Sequence, residues 1–117
     1  MELEYSNAKV EKAFTDWRYL QKIVGLQLTK AIKKRKDQLE SFQNIYEFMG
    51  SGIDNPHPLN GDLYGHISWS ITGNLRIIFD LNLAKNEIYN LEIPKRERIC
   101  TKGVVDYHGG KNEWIIS

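Results

Sequence analysis

The chain has 117 residues, 41% apolar and 26% charged, enough for a single compact domain (1–117) with a small core. Lysine and arginine total 16 against 15 acidic residues, a formal charge of +1, so bulk charge does not point to nucleic acid and any such binding must come from local clusters. Cys100 is the only cysteine and excludes an intrachain disulfide, "MELEYSNAKVEK" lacks the basic-then-apolar run of a signal peptide, and no apolar stretch reaches the roughly 20 residues of a bilayer span; the expectation is a soluble, cytoplasmic protein with no membrane partner.

"LEYSN" alternates apolar and polar residues and reads as a first strand. Ser6 or Asn7 offers a side-chain oxygen to cap the helix that follows. Apolar residues then recur at Val10, Ala13, Phe14, Trp17, Leu20 and Val24, one stripe at helical spacing, until Gly25 stops it. A second helix starts near Leu26. It turns Leu28, Ala31, Ile32 and Leu39 inward and Lys30, Lys33, Lys34 and Lys36 outward, with Arg35 nearby. Two helices joined at one glycine read as a helical hairpin. "ESFQNIYEFM" prolongs the second helix or adds a further turn, and "GSGIDNPHPLNGDLYG" is a loop dense in turn formers.

After the loop the period becomes two. "HISWSIT" puts Ile67, Trp69 and Ile71 on one face, and Gly73–Asn74 is a tight-turn signal, so "LRIIFDLN" returns antiparallel. "AKNE" marks another turn, "EIYNLEI" a third strand ended by Pro94, and "ICTKGVVDYH" a further strand after the basic "KRER". "GGKN" turns the chain into a short last strand, "EWIIS". The order predicts an α+β fold: a small antiparallel β-sheet with an N-terminal helical hairpin packed on one face.

Alternation also sorts the polar residues. Leu75, Ile77 and Phe79 face the helices, so Arg76 faces the other way, where it binds a phosphate or pairs with Asp80 or Glu92. Asp106 and His108 share a face and Tyr107 points oppositely; a carboxylate beside an imidazole fixes its tautomer and holds its charge. His57 lies in the loop leading into the sheet. A proton-transferring histidine and a guanidinium suit metal-independent RNA cleavage, in which a base frees a ribose 2′-OH to attack phosphorus and a cation meets the growing charge. The plain readings compete: the lysine run is a solvated helix face, Trp17 and Trp69 are core, Trp114 is core or an exposed contact, and nothing marks His66 as catalytic. The three histidines and one cysteine lack metal-ligand spacing, and no phosphate-loop or dinucleotide glycine pattern occurs, so no metal or cofactor is expected.

"HPLNGDLYGHISWSITGNLRIIFDL" followed by "VVDYHGG" resembles the HigB branch (plasmid-maintenance killer proteins) of the RelE/ParE-like toxins. The resemblance spans nearly the whole chain and rests on the ordered set of motifs. It implies the toxin of a type II toxin–antitoxin module with a RelE/ParE-like fold. It further implies a ribosome-dependent mRNA interferase partnered by a small helix-turn-helix, HigA-like antitoxin in a hetero-oligomer. By position, His57, Arg76, Asp106, Tyr107 and His108 match residues implicated in cleavage or in holding RNA. Lys33, Lys34, Lys95, Arg96, Arg98 and Lys102 are the candidate RNA contacts, which would make affinity salt-dependent. Two departures stand out: Asn60 occupies a place where the family often has lysine, and residues 109–117 extend past "DYH". Two alternatives stay open, a ParE-like toxin that inhibits DNA gyrase without cutting RNA, and a degenerate, antitoxin-binding relative.

Overall fold

The computed structural model describes residues 1–82 and 92–117. β1 (Glu2–Tyr5) leads into three helices, α1 (Ala8–Thr15), α2 (Trp17–Val24) and α3 (Leu26–Ser41), and a short α4 (Ile45–Gly50). The sheet continues with β2 (His57–Pro58), β3 (His66–Thr72), β4 (Leu75–Asp80), β5 (Arg98–His108) and β6 (Lys111–Ile116). One-turn 3₁₀ helices cover Gly61–Leu63 and Ile93–Lys95.

The α+β class holds, with corrections. The first helical stripe is two helices, broken at Asp16. That residue is extended, ends α1, and accepts from the Tyr19 amide at 3.1 Å to cap α2. A short polar side chain competes with the helix backbone in this way. Asn7, of the two candidates, caps α1, accepting from Val10 N at 2.9 Å. "ESFQNIYEFM" breaks at Phe42, and Asn44 caps the separate α4. The turn and third strand read in 84–91 lie outside the described residues, while Ile93 and Pro94 form a 3₁₀ turn rather than strand.

The sheet runs β1-β5-β4-β3-β2. It is mixed, not antiparallel throughout, because β1 pairs parallel with the start of β5, from Glu2–Arg98 to Tyr5–Thr101. The helices and strands between them supply the long crossover that a parallel pair needs. β6 pairs with the same edge of β5 farther along, from Val104–Ile116 to His108–Lys111. β5 thus has β4 on one side, and β1 then β6 on the other.

One face of the sheet carries the core. Ile67, Trp69, Ile71, Ile77, Phe79 and Val104 bury in one cluster with Val10, Phe14, Leu20, Ile32, Leu39 and Phe48 from the helices. Phe48 meets Trp69 edge-on at 4.9 Å and Phe79 at 5.7 Å, the arrangement that ring quadrupoles favour. Arg35 is not a member of a solvated basic face. Its guanidinium reaches Asp54 at 2.6 Å, donates to the Ser70 and Ile71 carbonyls at 3.0 and 3.1 Å, and lies 5.4 Å from the Trp69 ring. It ties α3 to the end of β3. Lys36 likewise donates to the Phe14 carbonyl at 2.9 Å, satisfying an orphan group at the end of α1.

The handover from β1 to β6 depends on Gly103. The register shifts beside it, leaving Lys102 as an unpaired bulge residue. A Cβ on Gly103 would lie 1.9 Å from the Ile116 carbonyl oxygen, so the two backbones meet where any side chain would stand. Gly103→Ala is expected to cost about 2–3 kcal/mol through this forced displacement of β6. Urea unfolding reads the change; a loss under about 0.5 kcal/mol, the usual range of neutral surface changes, would contradict the close approach.

Candidate functional site

The sheet face away from the core cluster gathers several polar side chains. His57 pairs across β2–β3 with Ser68, Ser68 with Ile78, Ser70 with Arg76, Arg76 with Val105, and Tyr107 with Asn112. Cross-strand partners share a face, so these side chains stand together. His57, Leu59, Ser68, Arg76, Ile78, Tyr107 and Asn112 line one cleft of about 240 Å³. That is several times the roughly 30 Å³ share of a water molecule and leaves room for a phosphate group.

Arg76 is the centre of this cleft. Its Cζ lies 5.3 Å from the centroid of the Tyr107 ring, a cation–π contact that steadies the guanidinium. Its Nη1 reaches Ser70 Oγ only at 3.5 Å, and its buried Nε has no partner. None of the described ion pairs involves Arg76, so the expected alternative of a pair with Asp80 is not formed. Ser68 Oγ is a second buried, unpartnered polar atom on the same lining. Buried polar groups are normally satisfied. An unneutralised guanidinium and a free hydroxyl in one cleft make a site ready for an anion with several oxygens.

His57 contributes a basic atom. Its Nδ1 lies 3.2 Å from the Pro58 carbonyl oxygen, which can only accept, so in the neutral ring Nδ1 carries the proton and Nε2 the lone pair. The loop that carries His57 is pinned from the far end by His66. The Leu59 amide donates to the His66 carbonyl at 2.9 Å, and His66 Nδ1 donates to the Leu63 and Tyr64 carbonyls at 3.1 and 3.2 Å. His66 Nε2 then accepts from Lys102 Nζ at 3.2 Å and stands 3.7 Å from Asp80. The histidine that nothing in the sequence marked is therefore a structural clamp on the loop.

Asp106 and His108 lie on the other face of β5. Asp106 pairs across from Leu75, which packs against the core. The expected Asp106–His108 contact is not among the described hydrogen bonds; His108 Nε2 instead meets Glu113 at 3.3 Å, both side chains exposed. Of the five residues matched by resemblance, His57, Arg76 and Tyr107 converge, and Asp106 and His108 do not join them.

The basic candidates do not line the cleft either. Lys33 and Lys34 are exposed on α3, across the sheet from it, with Lys33 Nζ 5.8 Å from the Trp17 ring. Lys95 pairs with Glu92 at 3.5 Å, Arg96 donates to the Leu81 carbonyl, Lys102 serves His66, and Arg98 is exposed. A larger hollow, about 1000 Å³ beside β1, is lined by Glu2, Glu40 and Glu97 as well as Lys36 and Arg98; its carboxylates oppose an anion, so size does not make it the site. Burial, reinforced by Asp80, pushes the Cys100 thiol above its ordinary pKa, which keeps it protonated and unreactive near neutral pH. Among the described residues no cluster could hold a metal ion, and no helix is long and apolar enough to cross a membrane. Ser68 and Asn112 are the polar cleft residues that sequence reasoning missed.

No family model matches the chain, and no curated protein matches it in sequence. Among solved structures, the YoeB/ParE toxin from Agrobacterium tumefaciens aligns over 92% of this chain and 100% of its own, at 15% sequence identity and a TM-score of 0.44.

A guanidinium with unmet donors works against the fold, because removing it also removes the desolvation cost. Arg76→Met, of similar length, is expected to leave stability within about 1 kcal/mol of the parent, the lost ring contact offsetting the relieved burial. Chemical denaturation measures this. A drop of several kcal/mol would mean that Arg76 holds the sheet rather than a ligand.

Proposed function

We propose that the protein is the toxin of a toxin–antitoxin pair and an endoribonuclease that cleaves messenger RNA on the ribosome, with a small helix-turn-helix protein as its antitoxin. The observation that carries this reading is the unpaired Arg76 guanidinium in a cleft shared with the His57 imidazole and the Tyr107 phenol. The resemblance of "GNLRIIF" and "VVDYH" to HigB-like toxins supports it independently of that geometry.

The chemistry follows from charge and proton placement. The scissile phosphate binds Arg76, with Ser68 Oγ donating a further hydrogen bond. His57, through Nε2, takes the proton of the ribose 2′-OH; the freed oxygen attacks phosphorus and forms a 2′,3′-cyclic phosphate. Negative charge grows on the phosphoryl oxygens, and Arg76 stabilises it more than it stabilises the bound substrate. Tyr107 gives its phenolic proton to the departing 5′ oxygen, which leaves as an alcohol. No step calls for a metal ion. Asn60 supplies no positive charge where the family often has lysine, so Arg76 carries the electrostatic burden alone.

This reading ranks the matched residues differently from the sequence alone. Arg76→Ala is expected to lower cleavage about 10²–10³-fold, and His57→Ala or Tyr107→Phe about 10²-fold or more. His108→Ala, on the opposite face, is expected to stay near the parent. The measurement is 5′-end mapping of transcripts after induction, scored with growth arrest. Full cutting by Arg76→Ala would sink the assignment; intact transcripts with early DNA damage would favour gyrase inhibition instead.

A further inference from the structure

We propose that β6 builds a nucleobase-binding ledge, Trp114 with Asn112, beside the Arg76 cleft. The proposal rests on the RNA reading above and concerns residues that reading does not use. Arg76 pairs across the sheet with Val105, and Val105 with Trp114. The three therefore form one row on one face. With neighbouring strands about 4.8 Å apart, the row spans about 10 Å. In the next row Tyr107 pairs with Asn112, and Asn112 itself lines the cleft.

The ring is fixed on one side and open on the other. Trp114 Cζ3 lies 3.1 Å from the point that a Gly103 Cβ would occupy, so the indole packs over bare backbone. Yet Trp114 remains 37% exposed and Tyr107, on the same face, 40% exposed. A tryptophan held against glycine keeps a π-face available at little further entropic cost. Every base has such a face, and stacking on aromatic rings beside a cationic site is a common way of holding single strands. Asn112 adds an amide that can both donate to and accept from a base edge. No described hydrogen bond uses either side chain's nitrogen.

Charge agrees with this occupant. Glu113 falls on the opposite face, where it pairs with Asp106 in register and meets His108. No acidic side chain lines the cleft. A cation, then an aromatic ring, then an amide on one open face match a phosphate followed by the base of a neighbouring nucleotide.

The test uses the full chain and a fluorescently labelled, 2′-O-methylated single-stranded RNA oligonucleotide, which cannot be cut, with binding read by anisotropy. A companion set carries one abasic site at each position in turn. Trp114→Ala is expected to weaken binding about tenfold while Trp114→Phe keeps most of it. One abasic position should weaken the parent protein by a similar factor and have no further effect on Trp114→Ala. If Trp114→Ala binds like the parent while Arg76→Ala loses affinity, the ledge is wrong and the RNA reading stands. If Arg76→Ala binds like the parent, both are wrong; if the parent binds no free RNA, the ledge is wrong and the ribosome-dependent reading is decided by the transcript mapping. If Trp114→Ala fails to fold, Trp114→Phe and the abasic series decide: parental affinity for every abasic strand would overturn the ledge.

Discussion

The contact on which the site depends is the approach of the Ile116 carbonyl to Gly103, closer than any Cβ would allow. It occurs where β5 bulges at Lys102 and passes from one neighbour to another. Without it, β6 could not lie against the distal half of β5, and Val105 and Tyr107 would form a sheet margin. With it, Asn112 and Trp114 are added to the row that begins at Arg76. A bulge raises local twist and re-aims side chains. Here it also sends Lys102 to His66, whose other nitrogen clamps the loop that brings His57 in. One small residue thus governs both flanks of the cleft.

The two faces of the sheet answer different demands. The core face is covered and mostly apolar, with Thr101 Oγ1 buried and unpartnered on it, and a guanidinium packed there, Arg35, has its charge met by Asp54 and its donors by carbonyls. The other face keeps Arg76 and Ser68 with polar atoms buried and unmet. Both arginines sit against aromatic rings. The difference between them is the carboxylate, present for Arg35 and missing for Arg76. A fold selected only for stability would pair or replace such a group. Arg76 lines the same cleft as His57, the arrangement that the proposed chemistry uses.

Much of this was legible in strict alternation. Period two in "HISWSIT" and "LRIIFDL" located the core face and pointed Arg76 away from it, and a turn at Gly73–Asn74 set their pairing. Less legible were features decided by contacts distant in sequence. Asp16 breaks a continuous apolar stripe because its own side chain caps the next helix, and β1 joins β5 in parallel across 90-odd residues. Arg35 looked solvated among lysines because nothing local announces Asp54, whose backbone takes a positive φ of 54° in a turn-rich loop. Asn112 was within reach of sequence reasoning. Gly109 and Gly110 both have positive φ, 59° and 77°, as a two-residue type I′ hairpin needs. That turn alone, in place of a four-residue "GGKN" turn, fixes the pair Tyr107–Asn112.

The same alternation reorders the triplet Asp106–Tyr107–His108. Adjacent acid, phenol and imidazole invite a reading as one cluster, and a shared face favours the acid with the imidazole. The partner strands decide otherwise. Asp106 stands across from Leu75 on the side that the core occupies, and His108 is drawn to Glu113 at the hairpin tip. Tyr107 is left with Arg76 on the open face. An unpaired cation determines where a polyanion can sit, and proton donors act only within hydrogen-bond reach of it. Proximity in sequence to a histidine therefore matters less than sharing a face with Arg76, and by that criterion Tyr107 is the member of the triplet placed for the proposed chemistry.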